Sequence, residues 1–325
     1  MAEEYTYAVA RIRALENSLL TDAAIEQLIA CPDVESCLNY LEEKGWGDAS
    51  CAGDQERILS REEEKIWEVV KDLHIDMKHF DVLSLPKEFQ NLKAAVKEAV
   101  NGPAHSKVYY EDTVLDGKTL SDIIKDREFD KLPDGMKAAA MEAYDVLLHT
   151  GDGQLCDVIV DKACMEAVLE AGRAEGKAGY DVIKAFAEEQ VAICDIKIAT
   201  RAARTGKSLD FLMKALVDCD SFSAASLAKA ASQGEEAVKE YLSATDYRDA
   251  AESLAEGPSA FERWCDDRII ASLQSQKYET FTIGPVIAYV LARQNEIKTV
   301  RLVLTGKANG LSDDSIRERV RQMYV

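Results

Sequence analysis

The sequence contains a short pattern that returns three times, and this repeat limits the fold more than any other feature. In each copy a tripeptide ending in lysine is followed by a basic residue, and a glycine stands five residues after that base. The copies are Asn91-Leu92-Lys93 with Lys97 and Gly102, Asp195-Ile196-Lys197 with Arg201 and Gly206, and Glu296-Ile297-Lys298 with Arg301 and Gly306. Basic residues near a helix C-terminus and glycine at its left-handed stop are typical of helix ends. The pattern therefore predicts three similar helical units.

The rest of the sequence predicts an essentially all-α fold. Proline is rare, with six residues, and apolar residues recur at helical spacing over most of the chain. Long helices are predicted from Tyr180 to Thr205 and onward from Pro285, a residue suited to the first helical turn. Only His105–Glu111 and Leu155–Val160 favour an extended conformation. We expect units at about 1–110, 111–207 and 208–325, the last with a closing C-terminal helix.

Two kinds of pattern predict where helices begin. Capping boxes, in which a hydroxyl residue precedes glutamate by three positions, occur at Ser60, Ser232 and Ser259. A hydroxyl residue followed by apolar residues four and eight positions later occurs at Thr21, Ser208 and Ser312. Both patterns predict N-terminal caps.

Composition excludes several classes of protein. There are 59 acidic and 39 basic residues, for a net charge of −20, and such a surface repels nucleic acid and anionic lipid headgroups. The longest apolar stretch, Pro285–Ala292, has eight residues, far fewer than the roughly twenty that a membrane span needs. No secretory signal is visible after Met1. We therefore expect a cytosolic protein without nucleic-acid partners.

The sequence has no recognisable catalytic or cofactor-binding motif. Gly206-Lys207-Ser208 and Gly117-Lys118-Thr119 end like a phosphate-binding loop but lack its first glycine, and Gly172–Ala178 is one residue short. The histidines, His74, His79, His105 and His149, lack the spacing of a metal-binding helix. The eight cysteines form no CxxC pair and are expected to be reduced, buried thiols. We expect no catalytic residue, metal site or cofactor.

Charge is unevenly distributed. Residues 293–325 carry seven basic and four acidic side chains, a local excess of +3 in a strongly acidic chain. A solvated or salt-bridged helix face is one interpretation. A docking surface for an acidic partner, or for the protein's own acidic units, is the other.

Three stretches of the chain carry a family resemblance. They are Tyr7–Glu16 (YAVARIRALE), Glu188–Lys197 (EEQVAICDIK) and Gly284–Arg301 (GPVIAYVLARQNEIKTVR), the last followed by Gly306-Lys307 and by Ile316–Arg319 (IRER). Together they resemble the C subunit of the archaeal and bacterial V-type (A-type) rotary ATPases, a relative of the d subunit of the eukaryotic enzymes. The similarity covers essentially the whole chain, and its C-terminal block is the most specific part.

The resemblance implies a non-catalytic adaptor of the central rotor. Members of the family are helical funnels, in which three similar units around a pseudo-threefold axis enclose a central socket. The socket receives the central stalk, made of the D and F subunits, and the other face contacts the membrane rotor ring of proteolipid subunits. One copy per complex, peripheral to the cell membrane, is implied. A helical-repeat scaffold unrelated to an ATPase and an enzyme with an unrecognised site are the alternatives.

The basic residues at the predicted helix ends are our candidates for partner binding. They are Lys97, Arg201 and Arg301, together with the neighbouring Lys307. Each either lines the socket or bridges two units, and we favour bridging.

Overall fold

The computed structural model describes residues 5–51, 53–102, 109–174 and 181–325, and this part of the chain is helical. It contains short 3-10 helices at Met77–Phe80, Phe129–Lys131 and Gln274–Tyr278, and an isolated β-bridge between Cys219 and Phe222. The α-helices are α1 (Thr6–Glu16), α2 (Asp22–Ile29), α3 (Val34–Glu43), α4 (Gln55–Asp72), α5 (Asp81–Asn101), α6 (Gly117–Lys125), α7 (Asp134–Thr150), α8 (Gly153–Ala174), α9 (Asp181–Thr205), α10 (Leu209–Ala215), α11 (Ala224–Gln233), α12 (Glu235–Ser243), α13 (Arg248–Glu256), α14 (Pro258–Ser272), α15 (Gly284–Ala308) and α16 (Asp313–Arg317). The predicted all-α class is confirmed.

The described residues fall into two compact units. The first comprises those of 1–76, 177–183 and 249–325, and the second those of 77–176 and 184–248. The helices α1 and α16, the first and last described, thus belong to the same unit, in which α16 contacts α2. The division into units at 1–110, 111–207 and 208–325 remains a prediction.

The three copies of the repeat lie on the three helices α5, α9 and α15, which have 21, 25 and 25 residues. The predicted helices at 180–205 and from Pro285 are confirmed. Gly102 and Gly206 follow the ends of α5 and α9 with positive φ angles of 89° and 63°, as predicted. The prediction for Gly306 is wrong, because α15 continues to Ala308.

Helix starts distinguish the two capping patterns. The predicted caps Thr21, Ser208 and Ser312 are confirmed: each side-chain oxygen accepts a backbone N–H three residues later at 3.2 Å. The three capping boxes are wrong. Ser60 lies inside α4, whose cap is Asp54, while Ser232 and Ser259 lie inside α11 and α14. The helix starts nearest these two serines follow glycines, whose conformations end the preceding segment.

Of the two predicted extended segments, one is helical and the other lies largely outside the described residues. Leu155–Val160 lies inside α8, because α8 packs on α5 and α7 and tertiary packing overrides the preference of Val158 and Ile159 for strands. Residues 105–108 of the other segment lie outside the described residues, and residues 109–111 are irregular.

Helix α15 is the centre of the first unit. It contacts α1, α2, α3 and α4, and eighteen of its 25 residues are buried. Val286, Val290, Ile297, Val300 and Leu304, which share one face of α15, are all buried, and from Gly284 to Arg293 the other faces are buried as well. The core of the second unit lies between α5, α6, α7 and α8 and includes Phe89 and Tyr144.

Gly306 has a packing role in place of the predicted helix stop. A Cβ atom at this position would lie 2.7 Å from Cγ1 of Ile316, whose side chain is fully buried. Glycine therefore allows α16 to approach α15 closely. The helix instead ends before Gly310, which has a φ of 66°.

We expect Gly306→Ala to lower the melting temperature, measured by circular dichroism. Replacing glycine inside a helix ordinarily stabilises by about 0.5–1 kcal/mol, but forcing a methyl group into a packed site costs about 1–3 kcal/mol. Gly135→Ala is the matched control, because Gly135 lies on α7 with open space around its Cβ position. A melting temperature that rises equally in both variants would contradict the close packing.

Candidate functional site

The first residue of each repeated tripeptide holds a neighbouring loop. Asn91, Asp195 and Glu296 are buried, with exposed fractions of 0%, 0% and 2%. Asn91 Oδ1 accepts the backbone N–H of Tyr110 at 2.8 Å, and the Asp195 carboxyl accepts that of Val217 at 3.2 Å. Glu296 Oε1 accepts that of Leu20. Three different residue types thus perform one structural task, which gives the sequence repeat a physical meaning.

In the second unit, each of these loops is also held at a second point by a carboxylate of the same helix. One helical turn before Asn91, Glu88 accepts the N–H of Val114 at 2.6 Å. Two turns before Asp195, Glu188 accepts both the N–H and the hydroxyl of Ser221 at 2.9 Å. Each of α5 and α9 therefore fixes its loop at two points, and the buried acceptors Asn91, Asp195 and Glu88 avoid the cost of remaining unpaired.

Burial makes Asp195 a neutral acid at pH 7. It raises the pKa of Asp195 from the ordinary 3.8 to about 8, against the lowering effect of the Val217 hydrogen bond and Lys162. The two other acids near it, Asp218 and Glu188, raise the pKa further. At the corresponding position of α5 the sequence has Asn91, which is neutral at every pH.

A buried ionic cluster joins α15 to α4 in the first unit. Arg293 is ion-paired with both Glu62 and Glu296, and its guanidinium lies over the ring of Trp46 with 5.2 Å to the centroid. Glu62 also accepts from Lys65 at 2.6 Å and from the Gly47 N–H at 2.7 Å.

Burial and pairing act in opposite directions on the members of this cluster. Burial alone would lower the pKa of Arg293, but Glu296 and Glu62 raise it, and the net shift is upward. Burial raises the pKa of Glu296, opposed by Arg293 and by the Leu20 hydrogen bond. Each charge therefore depends on its partner.

The structure places the four predicted partner-binding residues on α5, α9 and α15. Lys97 pairs with Asp157 of α8 at 2.6 Å, and Arg301 pairs with Glu56 of α4 at 2.6 Å. Lys307 pairs with Asp313, the first residue of α16, at 2.6 Å. Arg201 is exposed on α9 and lines a cavity of about 250 Å³ between α5, α8 and α9. Three of the four thus bridge helices, and contact of any of them with another protein of a complex remains a prediction.

The basic excess of residues 293–325 is largely used within the chain. Six of its seven bases form ion pairs with acidic side chains of the first unit; the six are Arg293, Lys298, Arg301, Lys307, Arg317 and Arg321. This favours the salt-bridged interpretation over a free docking surface. The sequence alone could not pair them, because Glu62, Glu56 and Glu26 are more than 200 positions away from their partners.

The described residues offer little chemistry for a reaction. No three of their His, Cys, Asp and Glu side chains lie close enough together to hold a metal ion. The eight cysteines are thiols rather than disulfides, four of them buried and four half-buried. Burial raises the pKa of Cys164 to about 12 and that of Cys194 to about 11, so neither thiol is a nucleophile at pH 7.

The lookalikes of phosphate-binding loops have structural roles. Gly206 follows the end of α9, and Gly117 begins α6 after the cap Asp116, whose side chain accepts the N–H of Thr119 at 3.0 Å. Residues 175–178 of the third lookalike, like His105, lie outside the described residues. None of the helices described is both long and apolar enough to cross a bilayer.

Comparison with known proteins identifies the family. The ATP synthase (C/AC39) subunit family matches residues 8–319. This chain belongs to that family. Among its relatives, the C subunit of the V-type sodium ATPase of Enterococcus hirae is 24% identical over 323 residues, which cover 96% of this chain and 97% of that protein. The C subunit of the A-type ATP synthase of Haloferax volcanii is 23% identical over 339 residues, covering 95% of both chains.

A shorter match has a higher identity. The C subunit of the A-type ATP synthase of Halorubrum lacusprofundi is 31% identical over 187 residues, which cover 55% of this chain and 53% of that protein. The family match includes the three loop anchors, Asn91, Asp195 and Glu296, and all four basic candidates for partner binding. The predicted membership of the C-subunit family is therefore confirmed.

We expect Asp195→Asn to stabilise the protein increasingly between pH 5 and pH 8. The folded state holds its proton up to about pH 8, whereas the unfolded state loses it near the ordinary value of 3.8. Because the folded state binds more protons in this window, the free energy of unfolding of the wild type falls as pH rises. At pH 8 the melting temperature of the variant should exceed that of the wild type, by roughly 2–4 °C for each kcal/mol gained in the free energy of unfolding. At pH 4 the two melting temperatures should be nearly equal.

The reverse change, Asn91→Asp, is the matched control. It should introduce a fall of stability with rising pH at a site that now has none. Asn91 also donates to the Tyr110 carbonyl at 2.9 Å, and an ionised aspartate would repel that oxygen. Parallel pH profiles for both variants and the wild type would contradict the buried-acid account.

We expect Arg293→Met to cost about 3–5 kcal/mol of stability, because it leaves the buried Glu296 without its cation and Glu62 with Lys65 alone. The measurement is the free energy of unfolding in urea. Arg301→Met is the control on the same helix: its partner Glu56 is also on α4, but their side chains are 42% and 65% exposed. An exposed pair contributes under about 1 kcal/mol. Equal losses in the two variants would show that burial of the cluster has no energetic weight.

Proposed function

We propose that this chain is a non-catalytic adaptor in the central rotor of a V-type rotary ATPase or ATP synthase. In this proposal it links the central stalk, made of the D and F subunits, to the membrane rotor ring and transmits torque between them. One copy lies in each complex, on the cytoplasmic side and peripheral to the membrane. The observation that carries the proposal is the family match over residues 8–319.

The packing of the long helices supports a mechanical role. A part that transmits torque must resist bending and shear, and closely packed interiors are stiff. Helix α15 is buried on most of its surface and is tied to α4 by the ionic cluster of Arg293. The anchors on α5 and α9 fix loops of the second unit to their helices at 2.6–3.2 Å. These contacts would keep each unit from deforming under torque, so that the rotation of one partner is passed on to the other.

The proposal keeps the funnel implied by the family resemblance. Three helical units around a pseudo-threefold axis would leave a socket for the stalk. Both faces would have to hold their partners firmly, so each contact is expected to bury more than ~1,000 Å². Family membership favours this role over a helical scaffold unrelated to an ATPase, because the matched relatives are named as ATPase and ATP synthase subunits.

Reconstitution of the complex without this chain tests the proposal. We expect ATP hydrolysis by the catalytic head to continue, because this chain contributes no catalytic group, and ATP-driven ion transport into vesicles to stop. Adding back the purified chain should restore transport. Transport that persists without the chain would contradict the adaptor role, and loss of hydrolysis by the isolated head would contradict the non-catalytic one.

A further inference from the structure

The second unit has an open groove along the helical hairpin of α7 and α8. The groove has a volume of about 550 Å³, and Met213 and Lys214 of α10 form its third wall. On α8 its lining extends from Leu155 to Glu170, which at 1.5 Å per residue is about 22 Å, or four helical turns. Its length along α8 is therefore that of a short helix.

The floor of the groove is apolar and shallow. Val146, Leu155 and Ile159 line it and are half-buried. Four alanines also line the groove, namely Ala138, Ala139, Ala163 and Ala167. Small side chains allow a second helix to approach to an interaxial distance of about 8–10 Å. Met213, 46% exposed, adds a flexible apolar contact.

The groove lining carries an excess of negative charge, with three glutamates against two lysines. Glu142, Glu166 and Glu170 line the groove and are exposed, and no cation of the described residues pairs with them. Of the two lysines, Lys214 pairs with Asp210 at 3.2 Å, while Lys162 donates to the Met213 carbonyl at 3.5 Å and keeps its positive charge at the groove. Glu166 and Glu170 are one turn apart, where like charges repel. A cationic partner would relieve this repulsion.

We propose that this groove docks an amphipathic helix of another subunit, whose apolar stripe is flanked by lysine or arginine residues. The inference rests on the proposed function, which places the chain in a multi-subunit complex. The apolar stripe would fill the space above the alanines, and the basic flank would pair with the glutamates of the groove lining. Charge complementarity favours this occupant over a second copy of the chain, whose net charge is −20, and over an anionic lipid surface.

Photo-cross-linking in the purified complex tests the proposal. Benzoylphenylalanine replaces Ala138, an exposed residue of the groove lining, and mass spectrometry identifies the attached peptide. We expect one peptide of another subunit, with apolar residues at helical spacing and basic residues beside them. Benzoylphenylalanine at Ala255, an exposed residue of α13, is the control and should not capture it. Capture of a second copy, of lipid, or of an acidic or apolar-free segment overturns the proposal.

Charge reversal tests the role of the glutamates of the groove lining. Glu166→Lys with Glu170→Lys should lower the cross-link yield from position 138 about tenfold, because like charges then face each other. The milder Glu166→Gln with Glu170→Gln should lower it less. Glu252→Lys with Glu256→Lys makes the same change of charge at the same spacing on α13 and should have no effect. An unchanged yield in the first variant, with an unchanged melting temperature, overturns the proposal.

The experiments distinguish failure of the groove proposal from failure of the proposed adaptor role. If the groove account is wrong, the charge variants will keep the wild-type cross-links while ion transport still requires the chain. If the adaptor role is wrong, transport will persist in complexes that lack the chain, whatever the cross-links show.

Discussion

The structure depends on hydrogen bonds between buried side chains of the long helices and backbone N–H groups of neighbouring loops. Asn91, Asp195 and Glu296 each supply an acceptor from a helix interior. An amide, a neutral acid and a paired carboxylate are alternative solutions to the same constraint, since a buried polar group without a partner costs about 1–3 kcal/mol. The solutions differ in their dependence on charge: of the three, Glu296 has a buried cation, Arg293, as its neighbour.

These anchors connect the sequence repeat to the proposed function. A loop tied to the middle of a long helix moves with that helix, and the pairs on α4, α8 and α16 tie further helices to α15 and α5. Within each unit, packing and polar contacts therefore act together to resist deformation. That property is what an adaptor between a rotating stalk and a membrane ring requires, and it needs no catalytic group.

Helix class, the long helices and the family could be predicted from the sequence, because periodicity and motif are local signals. Thr21, Ser208 and Ser312 were predictable as caps because apolar residues follow them at helical spacing. Ser60 was predicted as a cap but is not one, because Asp54 caps the same helix six residues earlier. The role of Gly306 could not be predicted, since it depends on contact with Ile316. The ionic cluster and the groove require distant segments to meet, and a single sequence does not show which residues meet.

The most direct test of the adaptor role is observation of rotation. The catalytic head of the complex is fixed to a surface, and a gold particle is attached to this chain through a tag. If the chain is part of the central rotor, the particle will turn in one direction when ATP is added and stop when ATP is removed. A particle that stays still, while a particle on the central stalk of the same preparation rotates, would contradict the account.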